Sequence, residues 1–176
     1  MSKWENKKTT KSKCGPLIDN YIKWRESRGL GDIILPQSRY ILIHTLAHAL
    51  INELSLESGY SSASIRERIY STENTCGLLL YTAAGDSDGS LGGLVQQGTS
   101  EIFEQLLGNA LDRSIWCTSD PLCFENEPKH TGTLNGSACH ACMFLSETSC
   151  EATNRLLDRS LIRPISESKE SFFNLF

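Results

Sequence analysis

The longest apolar pattern in the chain is SRYILIHTLAHALINELSLESG (38–59), where Ile41, Leu42, Ile43, Leu46, Leu50 and Ile51 leave almost no polar face over four turns. An element apolar on every side predicts a buried central helix. Pro36 precedes it, Ser38 stands where a cap is needed, and Gly59 is placed to end it. Upstream, PLIDNYIKWRESRGLG (16–31) predicts a short helix closed by Gly29 or Gly31. Downstream, SSASIRERIYS (61–71) predicts another short helix, started by serine. The continuous apolar run CGLLLYTAA (76–84) has strand length and predicts a buried strand. In GDSDGSLGGLVQQG (85–98) five of fourteen residues are glycine, which predicts a loop. TSEIFEQLLGNALDRSIW (99–116) predicts an amphipathic helix, with Glu101 and Glu104 near its positive end. The last predicted helix covers ATNRLLDRSLI (152–162), opened by a Thr148-x-x-Glu151 capping box and stopped by Pro164. The expected fold is α+β: a buried central helix and further helices packed on a small sheet, with a cysteine-rich site towards the C-terminus.

A chain of 176 residues is long enough to bury a core without a metal or disulfide, and it reads as one domain. Its net charge of −4 is uneven. Five lysines against one glutamate in residues 1–13 leave eight excess acidic charges on the rest. The expected organisation is a basic disordered tail (1–13), one domain that carries the cysteine-rich site (14–165) and a loosely ordered tail (166–176). No run of eighteen apolar residues occurs and the N-terminus lacks a signal-peptide core, so a cytoplasmic protein with no membrane contact is expected.

In reducing cytosol, clustered cysteines point to metal or catalysis rather than to disulfides. Five of the seven fall within residues 117–150, as Cys117-x5-Cys123 and Cys139-x2-Cys142-x7-Cys150. A Cys-x2-Cys turn presents two thiolates to one ion at about 2.3 Å, and two more ligands complete a tetrahedron. The expected set for one structural zinc is Cys123, Cys139, Cys142 and Cys150, with Cys117 as the alternative to Cys123. His130 and His140 lie in the same region. A redox role for CHAC is weaker, because no strand precedes it as in thioredoxin-type pairs.

His44 and His48 share one helix face at i, i+4 spacing, but Thr45 replaces the glutamate that a zinc peptidase needs. They read as hydrogen-bonded core histidines, or as a polar site facing the glycine-rich loop with Asp86 and Asp88. That loop lacks the twelfth-position carboxylate of a calcium loop, since Gln97 stands there, and the Lys-Ser/Thr of a phosphate loop. Its Gly92-Gly93 pair implies a tight turn or a close backbone approach.

Taken in order, HTLAHAL, GLLLYTAAGDSDGSLGGL, WCTSDPLC, CHAC and SCEATNRLLDR resemble the MrfA zinc-binding domain found at the C-terminus of bacterial repair helicases, and more closely the form it takes in DrmB-type subunits of DISARM anti-phage systems. The resemblance covers residues 36–162. It implies a structural zinc on four cysteines: Cys139, Cys142 and Cys150 with one of the earlier pair. It also implies a superfamily-two helicase partner of DISARM or MrfA type, with DNA as a further candidate. The histidine helix and Gly92-Gly93 match the family without a catalytic role attached. The expected function is therefore a non-enzymatic accessory module in anti-phage defence or DNA repair. The alternative is a metal-dependent or thiol-redox enzyme built on His44, His48, Asp86 and Asp88, or on Cys139 and Cys142.

Overall fold

A computed structural model describes residues 1–31, 35–82, 92–128, 132–165 and 171–173. Its helices are α1 (Ser2–Glu5), α2 (Lys8–Glu26), α3 (Ser38–Ser58), α4 (Gly92–Gln97) and α5 (Ser100–Arg113). Strands β1 (Ile65–Ser71) and β2 (Cys76–Thr82) form an antiparallel hairpin, and a 3-10 turn spans Arg159–Leu161. The fold is the expected mixture of helices and a small sheet.

Helix α3 is the axis of the molecule. It packs on α2, α5 and both strands, which explains why apolar residues surround it and its polar side chains, His44, Thr45, His48 and Glu53, are buried. Ile41, Leu50 and Ile51 are fully buried or nearly so, each contributing about 1.5–3 kcal/mol of apolar burial. Gly59 ends the helix in the left-handed conformation at φ 70°. At the other end Gln37, not Ser38, occupies the cap position, and no side chain caps the helix. Glu53 of α3 is buried against Arg113 of α5 at 2.6 Å.

Several segments depart from the expected elements. Residues 61–71 contain a strand rather than a helix, because alternation governs them: Ile65 and Glu67 point inward while Arg66 and Arg68 point outward. Glu67 pairs with Leu80 across the hairpin, and a carboxylate on the inward face disguises the period. Strand β2 is half-exposed rather than buried, with Leu79 at 49% and Tyr81 at 40% exposure, because a two-stranded sheet covers one face only.

The expected helix over 152–162 is absent apart from the 3-10 turn. Thr153, Asn154 and Leu156 adopt left-handed backbone at φ 49°, 57° and 62°, which no helix can incorporate. The capping-box glutamate instead reaches the hairpin, where Glu151 binds the Arg68 guanidinium at 2.7 Å and the Ile69 amide at 3.2 Å.

Residues 1–13, expected as a disordered tail, lie in α1 and the first turns of α2. Trp4 anchors them at 5% exposure, edge-on to Phe172 at 5.6 Å. The Phe172 amide bonds the Leu161 carbonyl at 2.8 Å, so part of the expected loose C-terminal tail is also docked. Helix α2 closes as expected at Gly29, φ 62°, where the Leu30 amide reaches back to the Arg25 carbonyl. In the glycine-rich segment, Gly92 and Gly93 open α4, and Gly93 lies so close to the Tyr60 ring that a Cβ would sit 3.3 Å from its hydroxyl. Asp86, Asp88 and His130 lie outside the described residues.

Candidate metal centre

Two turns build the first site. After α5 ends, a turn carries Cys117 and Cys123, with the Cys117 amide bonded to Asp120 Oδ2 at 3.0 Å and the Cys123 amide to the Ser119 carbonyl. Opposite it, Cys139 and Cys142 sit on a tight turn whose Cys139 carbonyl accepts the Cys142, Met143 and Phe144 amides. The sulfur contacts are 3.5 Å for Cys117–Cys139, 3.7 Å for Cys123–Cys142 and 3.8 Å for Cys139–Cys142, and all four sulfurs lie within 4.8 Å of one another. None is in a disulfide. Four sulfurs at about 2.3 Å from one tetrahedral ion stand about 3.8 Å apart, so the donor set fits zinc. Amides of Ser119 and Cys139 donate to Cys117 and Cys142 sulfur at 3.4 Å, as thiolates require.

Without a cation, burial opposes ionisation of two of these thiols. Burial pushes the Cys123 thiol up to about 12 and Cys142 in the same direction. At Cys139 burial also acts upward, but the Ala141 amide and the neighbouring sulfurs outweigh it and leave that thiol at about 7. Four thiolates need positive charge, and beside Cys123 lies Arg159, fully buried. Its guanidinium donates to the Ser114 and Ile115 carbonyls at 3.1 and 2.7 Å and pairs with Asp120. One cation thereby ties the end of α5 and the first cysteine turn to the C-terminal segment.

The expected ligand set is thus redistributed. Cys117 joins Cys123 rather than replacing it, and Cys150 lies elsewhere, with His44, His48 and Glu67. In that second cluster His44 Nε2 is 3.1 Å from Cys150 Sγ and 3.0 Å from Glu67 Oε1, and His48 Nε2 is 3.5 Å from the same oxygen. All four side chains are buried. His44 and His48 therefore face β1 and the Cys150 turn, away from solvent. His140 is exposed, edge-on to Phe144. Cys14 is a core residue and Cys76 is exposed at the start of β2. Sequence reasoning missed Glu67, Asp120 and Arg159. Only Glu67 left a signal, as the charged residue at an inward position of an alternating run.

Fold and site together define a small α+β domain organised around a four-cysteine zinc centre. The chain belongs to the MrfA Zn-binding domain family, which matches residues 46–143 and so includes all four of these cysteines. Family and cluster together support one structural zinc ion. The chain is also similar to the DISARM protein DrmB of Bacillus paralicheniformis, with 45% identity over 174 residues. The match covers 98% of this chain and 31% of that relative, so the chain spans about a third of the relative's length. Among the described residues no helix is long and apolar enough to cross a membrane.

Proposed function

We propose that the chain is a non-catalytic, zinc-stabilised accessory module of a cytoplasmic anti-phage assembly, docking on a superfamily-two helicase subunit that carries it to DNA. The observation behind this reading is the 45% identity to a DISARM subunit, sustained over nearly the whole chain. Cys117, Cys123, Cys139 and Cys142 are the zinc ligands in this reading, and the ion's task is to hold two turns in place. Support for a docking role comes from the surface beside those turns: Trp116 is 76% exposed and Leu122 is 81% exposed, each next to a cysteine of the cluster. An exposed tryptophan on a rigid platform is a typical interface anchor. The enzymatic alternative has less support, because His44 and His48 are sealed in the core and offer no substrate a face.

Co-expression of the chain with a superfamily-two helicase subunit of DISARM type tests the proposal. Co-elution on size exclusion is expected, weakened at least tenfold in affinity by Trp116→Ala with Leu122→Ser. Separate elution at micromolar concentrations would overturn it. In the assembled complex, DNA affinity should fall steeply with added salt, because phosphate neutralisation releases counterions.

A further inference from the structure

The four-sulfur centre leaves a deeply buried polar cluster unexplained. His44 and His48 come from one face of α3, Glu67 from the inward face of β1, and Cys150 from the turn beyond the second cysteine pair. Their ligand atoms lie within 4.8 Å of one another, and each residue is at most 5% exposed. We infer that these four residues form a second metal site, taking a zinc-type divalent cation in a closed, structural, four-coordinate shell.

The ring orientations point to this. His48 Nδ1 lies 2.7 Å from the Met143 carbonyl and His44 Nδ1 lies 3.4 Å from the Leu156 carbonyl. A carbonyl only accepts, so each Nδ1 donates to the backbone and each ring turns its Nε2 towards the cluster centre, where it is placed to bind an ion. Backbone carbonyls orient metal-bound histidines in this way. The centre itself is under-satisfied: among the described residues His48 Nε2 and Glu67 Oε2 are buried without a hydrogen-bond partner. Buried polar atoms are rarely left so. An ion at the centre would satisfy both.

The donor chemistry selects the ion. Two imidazoles, a carboxylate and a thiolate suit a borderline cation such as zinc, and not magnesium or calcium, which take oxygen. The Glu67 carboxylate and a Cys150 thiolate cancel the two positive charges, so the filled site is neutral, as a buried site must be to avoid a large desolvation cost. The Asn154 amide donates to Cys150 Sγ at 3.2 Å and the Glu151 amide to Glu67 Oε1 at 3.3 Å, fixing both anionic ligands from outside the shell. With four protein ligands the shell is closed, which marks a structural rather than a catalytic ion. Such an ion would staple α3, β1 and the Cys150 turn together.

The test is metal content and coordination of the purified chain. Elemental analysis of wild type after dialysis against a weak chelator should give two zinc ions per chain, and zinc X-ray absorption should show nitrogen and oxygen besides sulfur. His48→Gln should retain one ion in an all-sulfur shell, and Cys142→Ser should retain one in a mixed shell. One ion per chain in an all-sulfur shell in wild type would overturn the inference even if His48→Gln failed to fold, and so would two ions retained in a folded His48→Gln. A single ion in a mixed shell would instead overturn the four-cysteine assignment and leave this site standing.

Discussion

At the scale of single residues, the burial of charge decides which side chains matter. Arg159 is fully buried, and its guanidinium holds two carbonyls at the end of α5 and the carboxylate of Asp120 between the first two cysteines. Removing one partner of such an arrangement leaves the others uncompensated, so Arg159→Met should cost about 3–5 kcal/mol in urea unfolding. Glu67 behaves differently with pH. Burial raises its carboxyl, but the two imidazoles facing it, His44 and His48, outweigh that and hold it at about 2, below its ordinary 4.5. A depressed carboxyl contributes stability above the unfolded value and loses it as pH falls through the folded one. The stability difference between wild type and Glu67→Gln should therefore be full at pH 6 and shrink steadily from about pH 4.5 towards 2. The sign is the same with a metal bound, since acid displaces metal from carboxylate and imidazole. A difference that grew on acidification would contradict the cluster.

At the scale of elements, legibility followed periodicity. Helix α3 was readable because every face is apolar and Gly59 closes it, and α5 because its apolar positions keep helical spacing. The hairpin was half legible: β2 shows as an apolar run, whereas β1 hides behind the arginines and glutamate of IRERIYS. Local capping chemistry misled at Thr148 and Glu151, where tertiary partners on β1 win the glutamate and three left-handed residues replace the helix. That segment is held by tight backbone packing. At Gly136 a Cβ would lie 2.6 Å from the Asp158 carboxyl, whose oxygen accepts the Ser160 amide at 2.9 Å. Gly136→Ala should destabilise by about 1–3 kcal/mol, visible as a lower melting temperature at unchanged zinc content.

At the scale of the whole molecule, the metal centre joins parts that the sequence separates by some twenty residues, and its grouping depends on three-dimensional turns. Spacing identified the cysteine region and the zinc. It could not separate Cys150 from Cys117, because only the fold sends Cys150 towards α3 and brings Cys117 beside Cys139. The N-terminal segment has a similar history: its lysines stay at the surface as their charge implies, but the backbone is helical and Trp4 packs against Phe172. Because metal-binding energy is folding energy in such a domain, Cys142→Ser should lower the unfolding free energy by several kcal/mol and release the four-sulfur zinc. The most direct measurement of the account is cobalt substitution of Cys117→Ser and Cys150→Ser, read by the thiolate-to-cobalt absorption. The four-thiolate spectrum should vanish in Cys117→Ser and persist in Cys150→Ser. Its loss in Cys150→Ser with survival in Cys117→Ser would contradict the structure's grouping of the sulfurs.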